Sequence, residues 1–368
     1  MTIGILKEPS FETRVSLLPD AVAALSKKGI KILVETNAGS KTFSNDEDYI
    51  KAGATIASDL EIVNSSDIIL SIQLPVQKIS PDKILIGVYQ PLYNGALMNE
   101  WAIQGITSFS LDMLPRTTRA QSMDVLSSQA NIAGYKAVLL AANIYCRYFP
   151  MFMTAAGSIT PAKLLILGAG VAGLQAIATA KRLGCVVEVF DTRPAVKEEV
   201  MSLGAKFVEV EGAADATKAG GYAVEQSIEF QQKQKAKIAE SIAKADIVIT
   251  TAQIPGKKAP LLITTEMIRA MRKGSIIIDI ASATGGNTEL TKDNETIIEN
   301  GVTIVGNSAL AATVPSDASK LYGKNVLNFL QLITDKESNL NLNWEDDLVK
   351  GSCITHKGEL INERVRNL

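Results

Sequence analysis

The stretch that decides the fold runs from Lys163 to Gly173 and reads Lys-Leu-Leu-Ile-Leu-Gly-Ala-Gly-Val-Ala-Gly. Its apolar run, Leu164 to Leu167, is typical of a strand buried on both faces. The glycine-rich segment follows directly, and Leu174 to Leu183 then has the pattern of a helix. Val186 to Phe190 predicts a second strand, which ends at Asp191. This order predicts a βαβ unit.

Each glycine has a physical role in such a unit. Gly168 permits the tight turn, Gly170 lets a pyrophosphate approach the backbone, and Gly173 lets helix and strand pack closely. The helix N-terminus faces the phosphates, and Asp191 can accept a hydrogen bond from a ribose 2′-hydroxyl. The combination predicts dinucleotide binding, although an ordinary glycine-rich turn beside a solvated acid has the same letters.

The acid at the end of the second strand also bears on the choice of dinucleotide. A 2′-phosphate would meet the carboxylate of Asp191, which favours NAD over NADP. Arg193, two residues later, weakens that inference because arginine binds phosphate well.

The composition excludes several classes of protein. With 368 residues the chain is long enough for two domains, and its 46% hydrophobic and 21% charged residues are typical of a soluble globular protein. A net charge of −2 gives no sign of nucleic-acid binding. The three cysteines have neither disulfide-framework nor zinc-site spacing, so we expect no metal. No apolar run reaches the roughly 20 residues of a membrane helix, and we expect a cytoplasmic protein.

Strands and helices alternate along both halves, which predicts an α/β protein with two Rossmann-like, doubly wound parallel sheets joined by long helices. We expect one domain from residues 1–125 together with a returning segment, 308–368. The second, residues 126–307, would bind the dinucleotide and include a connecting helix over 126–149. We expect a loop over 154–161, and a peripheral polar hairpin or tail over 334–368 in which the chain's one histidine, His356, is a surface residue.

Residues 212–234 form a long, weakly patterned connection. A compact domain seldom carries such a segment unless it is a lid or binding loop, so we expect a mobile flap that closes over bound nucleotide. Gly220 and Gly221 would be its hinge and Tyr222 its apolar cover. A surface insertion without function is the alternative.

A polar cluster precedes the connecting helix. Gln121, Asp124 and Ser127 have the donors and acceptors that would orient a nicotinamide carboxamide, and their spacing of three places them on one face if the segment is helical. Arg116 could pair with a pyrophosphate or hold Asp124. A solvated, capped helix start accounts for the same composition.

Acid–base chemistry has no obvious carrier in this sequence. A dehydrogenase acting on an alcohol or amine needs a positioned base, and we find no evident candidate and no nucleophilic triad. Hydride transfer between two nicotinamides moves no proton between the rings and requires only alignment and close approach.

At this point the sequence resembles a known family, the alpha subunits of proton-translocating NAD(P) transhydrogenase within the alanine dehydrogenase/transhydrogenase group. Nearly the whole chain takes part. The stretches that carry the resemblance are Arg116–Tyr135, Gly168–Gly173, Glu188–Pro194, Gly220–Ala223 and Thr250–Gly256.

The resemblance implies an NAD(H)-binding subunit that forms a homodimer and passes hydride to NADP(H) bound on a partner subunit, coupled to proton movement through a membrane-embedded partner. It would lie on the cytoplasmic face of the inner membrane. At matching positions, Arg116, Gln121, Asp124 and Ser127 would contact the nicotinamide, the first three as catalytic residues, and Asp191 would contact the adenosine ribose. The rest of the expected cofactor-binding set is Gly168, Gly170, Val171, Ala172, Gly173, Thr192, Arg193, Gly221, Tyr222, Thr251, Ala252 and Gln253.

Alanine dehydrogenases are the nearest competing family. Their pattern has a catalytic lysine where this chain has Gln73-Leu74-Pro75 and a catalytic histidine where it has Val88-Tyr89-Gln90-Pro91. We therefore expect that activity to be absent. The segment Asn307–Thr313 departs from the transhydrogenase pattern, which leaves local contacts there open.

Because no membrane helix is evident, we expect the proton channel and the NADP-binding domain on separate chains. Two alternatives remain: an amino-acid or opine-type dehydrogenase with an unusual base such as Lys7, and a non-catalytic NAD sensor.

Overall fold

The computed structural model describes residues 1–210 and 227–367. The chain divides into two compact units: unit 1 is Met1–Gln129 with Ala312–Leu368, and unit 2 is Ala130–Ala311. Each unit is built on a mostly parallel sheet whose strands alternate with helices. The predicted α/β class with two Rossmann-like sheets is confirmed.

Unit 1 begins with six strands and four helices. They are β1 Thr2–Ile5, α1 Pro19–Ser26, β2 Lys31–Glu35, α2 Asp46–Lys51, β3 Thr55–Ala57, α3 Asp59–Ser65, β4 Ile68–Leu70, β5 Ile84–Gly87, α4 Gly95–Ile103 and β6 Thr107–Ser110. Strand β1 is central, with β2 and β3 on one side and β4, β5 and β6 on the other, all parallel. The strand order therefore reverses between β1 and β4, the position at which open α/β sheets place a ligand crevice.

The connecting helix α5, Val125–Ile144, is shorter than the predicted 126–149. Tyr145 and Phe149 beyond its end are buried, and their rings meet edge to face with centroids 5.9 Å apart. The apolar letters after Ile144 therefore belong to an irregular segment of the core. The division between the two units falls within α5, after Gln129.

Unit 2 contains a small hairpin followed by a seven-stranded sheet. Its elements are β7 Phe152–Thr154, β8 Gly157–Ile159, β9 Lys163–Leu167, α6 Val171–Arg182, β10 Val186–Phe190, α7 Lys197–Ser202, β11 Lys206–Phe207, α8 Ile228–Lys244, β12 Ile247–Thr250, α9 Thr265–Arg269, β13 Ile276–Asp279, β14 Thr296–Glu299 and β15 Val302–Gly306. The sheet order is β11-β10-β9-β12-β13-β15-β14, and only β14 is antiparallel to its neighbour. The order reverses between β9 and β12.

Strand β9 explains why the deciding stretch is a continuous apolar run. Leu164 and Ile166 pack into one hydrophobic cluster, whereas Leu165 and Leu167 pack into another. Successive side chains of a strand point to opposite faces, so a strand covered on both sides needs apolar residues at every position.

Two expectations about the loops of unit 2 were wrong in part. The segment predicted as a loop over 154–161 contains strand β8, which pairs with β7 as an antiparallel hairpin. The predicted loop 212–234 ends earlier, because α8 begins at Ile228 and Ser227 caps it by accepting from the backbone N–H of Phe230 at 3.2 Å. Residues 211–226, which include Gly220, Gly221 and Tyr222, lie outside the described residues.

The chain returns to unit 1 through α10 Pro315–Leu332, α11 Asp347–Ser352, β16 Cys353–His356, β17 Glu359–Leu360 and α12 Glu363–Arg366. Strand β16 pairs antiparallel with β6 and extends the sheet to the order β17-β16-β6-β5-β4-β1-β2-β3. The hairpin expected within residues 334–368 is present as β16 and β17, but its position is not peripheral, because it belongs to the sheet and Cys353 and Ile354 are fully buried. Only these two residues are apolar, and their neighbours Ser352 and Thr355 are polar, so the sequence lacks the apolar run that would predict a buried strand.

His356 likewise departs from the expected surface position. It is half-buried, its Nδ1 lies 3.0 Å from the hydroxyl of Thr107, and its ring centroid is 4.5 Å from that of Trp344. Burial lowers the pKa of His356, as does the nearby charge of Lys357. The side chain has a structural role in holding β16 on β6.

Within residues 1–210 and 227–367, none of the helices combines the length and hydropathy needed to cross a bilayer.

Since Ile354 is fully buried, Ile354→Ala is expected to lower the free energy of unfolding by about 2–5 kcal/mol, through lost apolar transfer and the cavity left behind. Ile103→Ala, the same change at a side chain of unit 1 that is 75% exposed, is expected to cost less than about 0.5 kcal/mol. Urea denaturation of both variants measures the difference. Equal effects would contradict the core position of the C-terminal segment.

Candidate functional site

The glycine-rich turn of unit 2 has the geometry that its letters predict. Gly168 has φ +109°, a conformation that favours glycine, and its N–H donates to the carbonyl of Phe190 at 2.9 Å. A Cβ on Gly173 would lie 1.9 Å from the carbonyl oxygen of Gly168, so only glycine allows α6 to approach the turn this closely. A Cβ on Gly170 would meet nothing within 4 Å. The turn is therefore tight at its base and open at Gly170.

The open side of the turn coincides with the start of α6. Gly170 precedes the helix, and within residues 1–210 and 227–367 no side chain caps its first amides. These amides, from Val171, Ala172 and Gly173, carry the partial positive charge of a helix N-terminus. An uncapped N-terminus beside open space can hold a phosphate group, so the residues present fit a dinucleotide pyrophosphate.

Asp191 follows β10 at the same carboxyl edge of the sheet, and its carboxylate is fixed on both sides. One oxygen accepts from the backbone N–H of Ala169 at 2.7 Å, which connects the acid to the glycine turn. The guanidinium of Arg193 forms a two-pronged pair with it, Nε at 2.9 Å and Nη2 at 2.7 Å. Thr192 lies between them and is half-buried.

The segment after β12 crosses the glycine turn at the point where the strand order reverses. The hydroxyl of Thr251 donates to the carbonyl of Gly168 at 3.0 Å. Asn287 holds the next residue, since its side-chain oxygen accepts from the N–H of Ala252 at 3.1 Å and its amide donates to the carbonyl of Ala252 at 2.9 Å. Gln253, which follows, is therefore carried on a fixed backbone.

Sequence reasoning missed Asn287 and its support, Asp279. The buried carboxylate of Asp279 accepts from the backbone N–H of Asn287 at 2.7 Å and from the hydroxyl of Thr291 at 2.7 Å. The sequence feature that could have indicated them is Gly285-Gly286-Asn287, a turn sequence that follows the apolar strand β13 and its terminal acid, Asp279. The two glycines have φ +100° and +74° and make the turn that returns Asn287 toward Ala252.

In unit 1 the structure brings Asp124 and Ser127 together. Asp124 immediately precedes α5, and its carboxylate accepts from the backbone N–H of Ser127 at 2.9 Å and from its hydroxyl at 2.6 Å. This is the hydrogen-bonding pattern of a helix N-cap. Both side chains are half-buried, and the cap fixes the carboxylate in one orientation.

Gln121 does not share a helical face with these two residues. It lies in a separate 3-10 helix, Thr118–Met123, and Asp124 breaks the regular structure with ψ 90°. A shared face was expected only if the segment were one continuous helix, and the structure does not meet that condition. Arg116 and Gln121 are both exposed.

Helix α10 fixes the segment that carries Gln121. The side-chain amides of Asn325 and Asn328, one turn apart on α10, both donate to the carbonyl of Ser122, at 2.8 and 2.9 Å. The same helix accepts from Gln129, whose amide donates to the carbonyl of Ala318 at 3.1 Å. Residues of the returning segment 308–368 thus position the polar cluster.

A buried ion pair lies in the segment after β1. Arg14 donates to Glu12 through Nε at 2.8 Å and Nη2 at 2.6 Å, and through Nη1 to the side chain of Gln129 at 2.8 Å. Gln73 also donates to Glu12, at 2.9 Å. Burial raises the pKa of Glu12, but the hydrogen bond and charge of Arg14 outweigh burial and leave the pKa below its usual range.

A second buried carboxyl, Glu8, joins β1 to β4 at the position where the strand order of unit 1 reverses. Its two oxygens accept from the backbone N–H groups of Ile72 at 2.5 Å and Gln73 at 3.0 Å. Burial raises the pKa of Glu8 to about 8, although these two donors act in the opposite direction. The sequence showed these acids only as a charged loop.

No group of three or more histidine, cysteine, aspartate or glutamate side chains in residues 1–210 and 227–367 is arranged to hold a metal ion. Cys185 is buried, and burial raises the pKa of its thiol to about 12, so it is not a nucleophile at neutral pH.

Together, the fold and the glycine turn define a two-unit α/β protein of the dinucleotide-binding class. Two family descriptions match it: "Alanine dehydrogenase/PNT, N-terminal domain" over residues 4–133 and "Alanine dehydrogenase/PNT, C-terminal domain" over residues 137–363. The chain belongs to the alanine dehydrogenase/PNT family.

Within that family the chain is similar to transhydrogenase subunits. It is 44% identical to the first part of NAD(P) transhydrogenase subunit alpha of Rickettsia prowazekii, over 100% of this chain and 97% of that protein. A transhydrogenase crystal structure from Sinorhizobium meliloti matches with TM-score 0.89 and 43% identity, over 98% of this chain and 100% of that one. An L-alanine dehydrogenase structure matches with TM-score 0.82 and 23% identity, over 100% and 98%, and shows a common fold. The predicted resemblance to the transhydrogenase alpha subunit is confirmed.

Gly170, which precedes α6, and Gly173, in the first turn of α6, are expected to respond differently to the same change. Gly173→Ala places a Cβ against the carbonyl of Gly168 and is expected to lower the free energy of unfolding by about 1–3 kcal/mol. Gly170→Ala enters open space and is expected to cost at most about 1 kcal/mol, through the poorer fit of alanine at the helix N-cap. Chemical denaturation tests both, and a Gly173→Ala variant as stable as the unmodified chain would contradict the packing role.

Proposed function

We propose that this chain is the NAD(H)-binding subunit of a proton-translocating transhydrogenase, in which hydride passes directly between NADH on this chain and NADP⁺ on a partner subunit. The single observation that carries the proposal is a complete dinucleotide turn in unit 2, combined with a unit 1 that carries no exposed proton acceptor at the positions where alanine dehydrogenases have theirs.

Alanine dehydrogenases have their catalytic side chains in the stretches that match Gln73–Pro75 and Val88–Pro91, and in the second of these Gln90 is an exposed neutral amide. Gln73 is a neutral amide bonded to Glu12. Tyr89 is fully buried, its hydroxyl lies 3.1 Å from that of Ser71, and burial raises its pKa well above the usual range. Neither can take a proton from a substrate amine or alcohol. Lys7, the unusual base considered from sequence, is exposed.

We assign the nucleotide contacts as follows. The amides at Gly170, Val171, Ala172 and Gly173 bind the pyrophosphate, and Asp191 with Thr192 binds the adenosine ribose. Thr251, Ala252 and Gln253 lie along the nucleotide beyond Gly168, and Gly221 and Tyr222 are assigned to the cover on sequence alone.

The polar cluster of unit 1 is assigned to the nicotinamide end. The Asp124 carboxylate and the Ser127 hydroxyl oxygen, whose proton is donated to Asp124, both accept from the carboxamide NH₂, and Gln121 and Arg116 orient the ring. Bound NADH supplies the hydride, while the chain supplies alignment. A capped carboxylate that cannot rotate suits this role, because a misplacement of about 1 Å can lower a rate about 100-fold.

The first test adds the purified chain to membranes that contain the partner subunits but lack this one, and follows reduction of an NADP⁺ analogue by NADH. We expect transfer to be restored. NADH oxidation by the chain alone with a keto acid and ammonia would contradict the proposal, and so would intact NADH binding with no transfer.

In the same assay, Asp124→Asn is expected to lower the transfer rate by about 10- to 100-fold with NADH affinity nearly unchanged, because the carboxamide loses its fixed acceptor. Asp48→Asn is the matched control, since the Asp48 carboxylate also takes part in capping a helix of unit 1, accepting from the N–H of Asn45 at 2.9 Å. It is expected to keep the full rate. Equal transfer rates in the two variants would show that Asp124 does not contact the nicotinamide.

We also propose that two copies of the chain associate as a homodimer through the β7–β8 hairpin, with the assembly on the cytoplasmic face of the inner membrane through its partner subunits. Phe152 and Met153 of the hairpin are 43% and 76% exposed, and the Tyr148 ring contacts that of Phe152 with centroids 4.5 Å apart. An isolated two-stranded hairpin is marginally stable in water, and exposed apolar patches of this kind are typical of interfaces.

Sedimentation velocity tests the dimer. Met153→Asp is expected to shift the chain toward monomer, raising the dimer dissociation constant at least roughly 10-fold, because the charge would be buried. Val76→Asp, at a side chain of unit 1 that is 81% exposed, is expected to leave the dimer intact. A monomeric unmodified chain, or a dimer unaffected by Met153→Asp, would contradict this interface.

A further inference from the structure

The carboxylate of Asp191 accepts hydrogen bonds at both oxygens from its own chain. Oδ2 accepts from the N–H of Ala169 at 2.7 Å and from Nη2 of Arg193 at 2.7 Å. Oδ1 accepts from the backbone N–H of Arg193 at 2.8 Å and from its Nε at 2.9 Å. A carboxylate has about four acceptor positions, so these four bonds use its whole capacity.

The pair is also shielded from water. The Asp191 side chain is 6% exposed and that of Arg193 is 18% exposed. Under the proposed function, a ribose diol must donate to this same carboxylate. It can do so only if the two guanidinium bonds are given up, because the bonds from the backbone of Ala169 and Arg193 belong to the turn itself. Arg193 is therefore a competitor of the ribose for one acceptor.

The same guanidinium has the opposite relation to a ribose that carries a 2′-phosphate. A carboxylate alone repels the phosphate, but the Asp191–Arg193 pair is electrically neutral. Arginine is also the side chain best matched to phosphate, since its planar fork can form two parallel hydrogen bonds. A 2′-phosphate would gain a hydrogen-bond partner in the guanidinium of Arg193. A free 2′-hydroxyl must instead displace that guanidinium from Asp191.

We propose that Arg193 is a specificity-determining residue of the nucleotide site: it weakens binding of adenosine nucleotides with a free 2′-hydroxyl and supports those with a 2′-phosphate, so that the preference for NADH over NADPH set by Asp191 is smaller than the carboxylate alone would give. This inference rests on the proposed function, because it takes unit 2 as the NAD(H) site.

The experiment measures equilibrium binding of NADH, NADPH, 5′-AMP and adenosine 2′,5′-bisphosphate to the purified full-length chain and its variants by titration calorimetry. Arg193→Ala is expected to bind NADH and 5′-AMP about 3- to 10-fold more tightly and the two 2′-phosphorylated ligands at least roughly 10-fold more weakly. Arg193→Lys keeps the positive charge but not the planar guanidinium. Its NADH-to-NADPH affinity ratio is expected to lie between those of the unmodified chain and Arg193→Ala.

Lys197→Ala is the matched control. Lys197 lies four residues further on and pairs with Glu209 at 2.6 Å, so this change removes a nearby positive charge without touching Asp191. It is expected to keep the NADH-to-NADPH affinity ratio of the unmodified chain. Circular dichroism and thermal unfolding of each variant confirm that the site is folded when binding is measured.

The outcomes separate this inference from the proposed function. If the unmodified chain binds NADH but Arg193→Ala leaves the affinity ratio within twofold, the inference is wrong and the proposed function stands. Weaker NADH binding in Arg193→Ala would also overturn it, since the guanidinium would then contact the bound nucleotide. If the unmodified chain binds none of the four ligands, both the proposed function and the inference are wrong.

Discussion

Unit 1 depends on one helix, α10, whose polar atoms hold three segments distant in sequence. Ser319 accepts from the backbone N–H of Val15 at 3.0 Å, the carbonyl of Ala318 accepts from Gln129, and Asn325 donates to the carbonyl of Ser122. Buried backbone groups must find partners, and side chains of α10 satisfy those that the irregular segments before α5 leave open. Helix α10 thus fixes one backbone group next to Arg14 and one in the turn before Asp124.

The two units use the same strand order with different contents at the reversal point. In unit 2 the turn after β9 is glycine, open at Gly170, and bordered by uncapped amides. In unit 1 the corresponding position is filled by the carboxyl of Glu8, which accepts from the amides that follow β4. The glycine turn of unit 2 is therefore open where a pyrophosphate would bind, whereas in unit 1 the loop after β1 places a carboxyl against the amides that follow β4.

The chemistry proposed for this chain fits a site that contributes geometry and no acid–base group. Asp124 is held by the helix it caps, and Ala252 is held through both backbone atoms by Asn287. The first restricts motion of a group assigned to the nicotinamide and the second that of a group assigned to the nucleotide beyond Gly168, and preorganisation of this kind is what a direct transfer requires. The buried pair of Glu12 and Arg14 fixes Gln129 in the same way, in the first turns of α5 beyond Asp124.

The sequence by itself determined the α/β class, the βαβ unit from Lys163 to Asp191, and the family, because buried parallel strands need continuous apolar runs and a pyrophosphate turn needs glycine at fixed spacing. Those are local requirements, legible in a few adjacent residues. Only the tertiary structure decided that Cys353 and Ile354 belong to a core strand. It also decided that Gln121 lies in a separate 3-10 helix from Asp124, and that the guanidinium of Arg193 is hydrogen-bonded to the carboxylate of Asp191. Each of these depends on a hydrogen-bond partner, a packing neighbour or an interruption of the helix that cannot be read from adjacent residues. The fold decides which groups come close enough to form these hydrogen bonds and to bury these side chains.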